Sequence, residues 1–331
     1  MKRLLCLLLL AIVIAGCKPA SPTSTTPTGE SAQLQKVTLA LNWFPEAEHG
    51  GYYAALVNGH YREEGLDVEI QAGGPGVPVI QNVATKRVMF GVVNADQVLV
   101  GRNKEADVVA LMAPLQMSPR CIMVHEKSGI RRLQDLKNMT LAVGSGKAYL
   151  EYLKTKVSLE NVKLVPYPGS IAMFLKNEDF GQQGYVFSEP FVARQQGADP
   201  HVLMVSEIGF NPYTSLLITH GETVSDQQEL VAKVVRASAR GWRDYLENPA
   251  AVNKYIHQVN PEMDLESLAY GVKAIKPLCL PNELPLAELG KMTLERWETL
   301  ADQLKEIDWI ETQFDPATAF QSHFIDSGQL P

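Results

Sequence analysis

VTLALNWFPEAEHGGYYAALVNGHYREEGLDVEIQ, residues Val37–Gln71, is the stretch that decides the fold. Val37 to Trp43 is an almost unbroken apolar run, as in a strand buried on both faces, and Asp67 to Gln71 reads as a second strand. Between them, His49 to Val57 suits a helix that stops at Asn58-Gly59, because glycine accepts the left-handed backbone that ends helices. Strand, helix and strand in so short a stretch form a parallel crossover unit, and its repetition defines an α/β fold.

The unit does repeat. Gly73-Gly74-Pro75-Gly76 turns onto a helix, Met89 to Val93 is a third strand leading into Asn94-Ala95-Asp96, and Asp107 to Ala113 is a fourth. After Pro114–Pro119 a second set begins with Cys121 to His125, a polar helix ending near Lys137, and Thr140 to Val143. Gly144-Ser145-Gly146 then opens a helix through Tyr149 and Leu153, followed by strands at Val162 to Val165, Gly184 to Phe187 and Val202 to Val205. Mostly parallel sheets are expected. Beyond Tyr213 to Thr219, the segments Ser225–Glu247, Ala250–Val259, Leu265–Lys276 and Ala287–Ile307 carry apolar residues at helical spacing. A helical final third that returns to the first set predicts two α/β lobes, residues 35–117 plus 218–331 and residues 118–217, with a two-crossing hinge and a ligand cleft between them.

The first residues, MKRLLCLLLLAIVIAGC, carry two basic residues, an apolar run from Leu4 to Ala15 and small residues before Cys17. The run is shorter than the ~20 residues that span a bilayer, so residues 1–16 read as a secretory signal peptide. Ile14-Ala15-Gly16-Cys17 resembles the lipobox of bacterial lipoproteins, which implies cleavage before Cys17 and its lipidation. The alternative is an ordinary signal peptide with an incidental cysteine. Residues 17–34 are rich in Ser, Thr and Pro with little to bury, as expected of a lipidated cysteine and a solvated tether.

Loss of Lys2 and Arg3 with the leader takes the formal net charge from −7 to −9. An acidic chain without basic clusters argues against a nucleic-acid partner. Besides Cys17 the mature chain keeps Cys121 and Cys279, which read as two buried thiols or one disulfide. The seven histidines show no metal-ligand spacing, so neither metal nor cofactor is expected.

Ligands of open α/β sheets lie beyond the carboxyl ends of the strands, so the residues there are the candidates. They are Trp43, His49 and Tyr53 after the first strand, Asn94 after the third, and Ser145, Gly146, Tyr149, Tyr185, Ser188 and Glu189 in the second set. Aromatic faces with a few polar groups suit a flat heteroaromatic ligand, since stacking supplies affinity and edge hydrogen bonds supply identity. Trp43 and Tyr53 fit core packing equally well, His49 fits a helix cap, and Glu189 fits a helix first turn. Gly144-Ser145-Gly146-Lys147 is no phosphate loop: Leu141 stands where the spacing needs glycine, and Ala148 where it needs Ser or Thr.

Leu41 to Glu69 resembles the opening of the family that joins thiamine-pyrimidine synthases to sulfonate-type solute-binding proteins. The resemblance rests on Trp43, Pro45, His49, Gly51, Tyr53, Gly59, Tyr61, Gly65, Leu66 and Asp67, and extends from about Val37 to Ala250 through Leu136-Lys137, Thr140 to Val143 and Gly184 to Glu189. It implies a type II periplasmic-binding-protein fold and a monomeric, extracytoplasmic, lipid-anchored capture protein working with an ABC permease and its ATPase. It also implies a small heteroaromatic ligand, foremost a thiamine pyrimidine precursor of hydroxymethylpyrimidine or formylaminopyrimidine type, with riboflavin and then sulfonate or nitrate as alternatives. Trp43 and the tyrosines would stack on the ring, and Glu189, acceptor-only when ionised, would read its N–H edge. Two departures stand out: Glu46 where pyrimidine binders carry Asn or Thr, and Ser188-Glu189-Pro190 where some place aromatic residues before the glutamate.

The same family includes a synthase whose motif uses a lysine to hold pyridoxal phosphate and a histidine that is consumed. The matching stretch here is Gly91 to Gln97, with Val93 in place of the lysine and Gln97 in place of the histidine. A valine cannot form a Schiff base, so no enzyme activity is expected.

Overall fold

The computed structural model describes residues 33–326. The leader expected at 1–16, Cys17 with its expected lipidation and nearly all of the tether expected at 17–34 lie outside the described residues.

The opening strand, β1 (Gln35–Ala40), is buried on both faces, as its apolar run predicts. Val37 and Leu39 join one core with Tyr52, Trp242 and Tyr245, and Ala40 joins another with Val79 and Val83. The helix Gly50–Val57 follows and lies close against the long helix Gln228–Glu247. The approach is so close that a Cβ on Gly241 would sit 2.2 Å from the Gly51 carbonyl oxygen, so only glycine fits there.

Sheet one runs β2 (Leu66–Gln71), β1, β3 (Phe90–Val93), β10 (Leu216–His220), β4 (Val108–Met112). Sheet two runs β7 (Val162–Pro166), β6 (Met139–Val143), β8 (Phe180–Tyr185), β5 (Arg120–His125), β9 (Pro200–Met204). The chain crosses from sheet one to sheet two after β4 and returns before β10. Both sheets are mixed: β10 is antiparallel to β3 and β4, and β5 is antiparallel to β8 and β9. The expectation of mostly parallel sheets fails at the two strands that follow the crossings, because each enters its sheet from the cleft side.

Several boundaries differ from the sequence reading. The polar helix before Lys137 is two single turns, Glu126–Ser128 and Leu133–Asp135, separated by Gly129 in the left-handed conformation. β8 begins at Phe180 and ends at Tyr185, and its early half escapes the pattern because Gln182 and Gln183 are buried polar residues in mid-strand. Gln227 divides Ser225–Glu247 into two helices, and the helix sought over Ala287–Ile307 is Leu294–Glu306. Its Trp297, Leu300 and Leu304 share one core with Val98 and Leu99 of sheet one's helix Ala95–Asn103 and with Tyr152 and Leu153 of sheet two's helix Ala148–Lys156. Part of the helical third therefore spans both sheets.

The crossings are themselves paired. Leu115 and Thr214 form an antiparallel bridge, and the Ser118 N–H donates to Asn211 Oδ1 at 2.7 Å. Arg296 stacks 3.8 Å over the Tyr213 ring and donates to the Asn211 carbonyl at 3.0 Å. Cys121 and Cys279 are separate buried thiols whose acidity burial suppresses.

Candidate functional site

A cavity of about 180 Å³ opens between the sheets, and almost every residue around it follows a strand end. Asn42, Trp43, Glu46 and Glu48 follow β1; Asn94, Asp96 and Gln97 follow β3. Lys147 and Tyr149 follow β6, Tyr167 follows β7, and Tyr185, Ser188 and Glu189 end or follow β8. Arg120 arrives differently, as the first residue of antiparallel β5, whose amino end points where its neighbours' carboxyl ends point. Ser118, Phe210 and Pro212 of the crossings close the back, with Gln183 of β8.

Six candidates from the sequence meet here: Trp43, Asn94, Tyr149, Tyr185, Ser188 and Glu189. Four do not. His49 is fully buried behind the cleft, with Nε2 2.9 Å from Asn42 Oδ1, and burial pushes its pKa down to about 3, so it is neutral and orients Asn42. Tyr53 is a core residue against Tyr255, the ring centroids 5.8 Å apart, because its helix turns that face toward Ala250–Val259. Ser145 and Gly146 sit exposed on the tip of a turn, where Gly146 has φ +63°, and Lys147 rather than Ser145 reaches the cleft.

The polar groups are held in defined places. Glu189 Oε1 accepts the Tyr167 hydroxyl at 2.7 Å and Oε2 accepts the Tyr185 N–H at 2.7 Å. Gln183 Oε1 accepts the Gly144 N–H at 2.6 Å and also the Tyr149 hydroxyl, which fixes one aromatic wall. Asn94 Nδ2 donates to the Tyr185 hydroxyl at 3.1 Å, tying the sheets together across the cleft. The Arg120 guanidinium lies 4.2 Å from the Tyr185 ring centre and 5.1 Å from that of Tyr149, a cation held between two aromatic faces.

The cleft is acidic, and the carboxylates after β1, Glu46 and Glu48, are buried. Burial, and then the neighbouring charges of Glu48 and Glu189, raise Glu46 well above the usual carboxylate range, against a hydrogen bond with Ser188. Burial pushes Glu48 up to about 7 although the Ser215 hydroxyl, which donates to Oε2 at 2.9 Å, and the charge of Arg120 oppose it. Asp96 is raised by burial and lowered in part by Lys147 and Arg120. Burial disfavours the charge on Arg120, but Tyr185, Tyr149 and Glu189 hold it well above its ordinary value.

Sequence reading missed Glu48, Arg120, Lys147, Tyr167 and Gln183 as lining residues. A signal existed for Arg120, a lone cation opening an otherwise apolar strand directly after the prolines of the crossing. Such aromatic walls, fixed acceptors and one fork-shaped donor can hold a flat, nitrogen-rich ring. Among the described residues no group of three or more His, Cys, Asp or Glu could hold a metal ion.

Known proteins share this architecture. The family model described as NMT1/THI5 like matches residues 46–252. The riboflavin-binding protein RibY of Chloroflexus aurantiacus is 25% identical over 346 residues, covering 97% of each chain. The formylaminopyrimidine-binding protein of Halalkalibacterium halodurans is 24% identical over 336 residues, covering 97% of this chain and 98% of that one. A 4-amino-5-hydroxymethyl-2-methylpyrimidine phosphate synthase of Legionella pneumophila is 21% identical over 305 residues, covering 89% and 94%. Among solved structures, the putative periplasmic sulfonate-binding protein SsuA of Methylobacillus flagellatus superposes with a TM-score of 0.66 at 13% identity, covering 89% of this chain and 94% of that one. The α/β fold is thus that of the periplasmic binding proteins.

Proposed function

The chain belongs to the NMT1/THI5-like family, and from that premise we propose that it is the solute-binding component of an ABC importer whose ligand is a thiamine pyrimidine precursor. The observation that carries this reading is the set of Trp43, Tyr149 and Tyr185 around a cavity of about 180 Å³ whose acceptors are carboxylates. Aromatic walls take a flat ring, and a carboxylate, acceptor-only when ionised, takes the amino and ring N–H donors of an aminopyrimidine. Trp43 forms the outer wall, in edge contact with Phe44, and Glu189 offers its remaining lone pairs.

The ligand is captured and released unchanged. Val93, where the synthase motif has its lysine, is apolar and buried, and Gln97, where it has its histidine, spends its Oε1 on the Asn94 N–H at 3.0 Å. The two lobes are built on the two sheets, residues 35–117 plus 216–326 and residues 118–215, the boundary expected at 217/218 moving by two residues because Leu216 and Leu217 pair with Val93 and Val92 of sheet one, and they close about the paired crossings. Closure brings Tyr149 and Glu189 onto a ligand seated at Trp43, and the closed form docks on a permease. A signal peptide ending before a lipidated Cys17 would hold the chain outside the cytoplasm.

Riboflavin is the second reading, favoured by the similarity to RibY over 97% of both chains. A cavity of about 180 Å³ weighs for the monocyclic ligand, since pockets for drug-sized molecules run roughly 300–1,000 Å³. Calorimetric titration of the purified full chain with hydroxymethylpyrimidine, formylaminomethylpyrimidine, riboflavin, an alkanesulfonate and nitrate tests both. A pyrimidine should bind tightest; tightest binding of sulfonate or nitrate would overturn the heterocycle reading.

A further inference from the structure

Two groups on the cavity wall have ligand-directed chemistry that the protein itself leaves unused. The Arg120 guanidinium makes no hydrogen bond or ion pair with any described residue, although the two tyrosine rings fix its position. Its planar fork of N–H donors therefore faces the cavity. Asp96 Oδ1 is buried and has no hydrogen-bond partner. Both residues line the same cavity, and the charge of Arg120 acts on the Asp96 carboxylate. A buried acceptor and a fork of donors left unpaired on the wall of one cavity are costly, and an occupant that satisfies both recovers that cost.

We propose that Arg120 and Asp96 read an amide edge on the ligand, the C=O accepting from Arg120 and the adjoining N–H donating to Asp96. This rests on the heterocycle reading above and narrows it. An amide offers acceptor and donor in one plane, on the same edge in a ring imide and on opposite edges in a trans formamide, for a fork and a carboxylate to take. A primary alcohol has a single oxygen to serve both groups, and a protonated amine has donors alone and is repelled by Arg120. Two sources supply the edge: a formamide substituent on an aminopyrimidine, and the imide of a flavin ring. Glu46, Glu48 and Glu189 lie with Trp43 and Tyr167 after β1, β7 and β8, and remain for the amino-bearing ring.

The test is calorimetric titration of the full chain with hydroxymethylpyrimidine, aminomethylpyrimidine, formylaminomethylpyrimidine and riboflavin, on the parent protein and on Arg120→Met and Asp96→Asn. The parent should prefer an amide-bearing ligand over both non-amide pyrimidines by about tenfold or more. In Arg120→Met that preference ratio should collapse by roughly 10- to 100-fold, the range for a lost charge-assisted hydrogen bond. Asp96→Asn, which keeps the shape and is chosen to keep the fold, should reduce the ratio less. A larger effect for formylaminomethylpyrimidine identifies the formamide, and a larger effect for riboflavin identifies the imide. An unchanged ratio in both variants, or a parent that prefers the alcohol or the amine, overturns the inference and leaves the heterocycle reading standing. A parent that binds none of the four compounds refutes both.

Discussion

Replacing Glu48 by Gln should stabilise the empty protein at alkaline pH. Glu48 is 1% exposed on the turn after β1, and burial pushes it up to about 7 from an ordinary 4.5. Because the folded-state pKa is raised, the fold holds a proton between about pH 4.5 and 7 that the unfolded chain has already lost. Stability therefore falls as pH rises through that window and is level above it. Each tenfold in proton affinity is about 1.4 kcal/mol, so ionised Glu48 costs the fold about 3 kcal/mol above pH 7. Gln keeps the volume, and its oxygen still accepts the Ser215 hydroxyl. Its amide N–H faces neutral His49, whose Nε2 already contacts Asn42 Oδ1, so part of the gain is lost to an unpaired donor. The expected net gain at pH 8 is about 1–3 kcal/mol, a rise of several degrees in unfolding midpoint. It should shrink toward zero near pH 4.5. Thermal unfolding of parent and variant, followed by circular dichroism across that pH range, measures it. A variant no more stable than the parent at pH 8, or a gain that persists undiminished at low pH, would refute the assignment of the cost to this carboxylate. The same change should weaken binding of an amino-bearing ligand, because a stability cost kept at a cleft residue is the usual signature of function.

Trp43→Ala should lower ligand affinity by on the order of tenfold or more while leaving the unfolding midpoint nearly unchanged, because the side chain is half-buried at the cleft lip, where it meets Phe44 edge-on; an unaltered calorimetric affinity would remove the stacking role. Gly241→Ala should cost about 3 kcal/mol or more, since its methyl would meet the Gly51 carbonyl at 2.2 Å and force two helices apart; a shift in denaturant midpoint equivalent to less than about 1 kcal/mol would show that the helices separate freely.

Local periodicity made the layers readable. β1, β3 and β4 announce themselves by apolar runs of strand length and β2 by polar and apolar residues in alternation, and Gly59 marks a helix stop with its left-handed backbone. The helix Gln228–Glu247 shows its buried face through Leu230, Val231, Val234, Val235 and Trp242. β8 was half hidden because its buried side chains include two glutamines, one of which, Gln183, positions Gly144 and Tyr149 by hydrogen bonds no pattern encodes. Trp43, Asn94 and Glu189 were legible from their places after strands with parallel neighbours, whereas Glu48 and Tyr167 follow such strands and were missed, and Ser145 and Gly146 follow one and stay outside the cavity.

By itself the sequence determined the α/β class, the two sets of strands, the aromatic and carboxylate chemistry and the likeness to a family of binding proteins. These depend on spacing along the chain, on side-chain type or on motifs within a few dozen residues. Tertiary structure alone decided that β5 and β10 run antiparallel, which brings Arg120 to the cleft, and that His49 and Tyr53 face away from it. It alone buried Glu46 and Glu48 together and left Asp96 Oδ1 unpaired. Strand direction and desolvation come from partners far away in sequence, so neither the register of a crossing nor the proton affinity of a carboxylate is written in its neighbours.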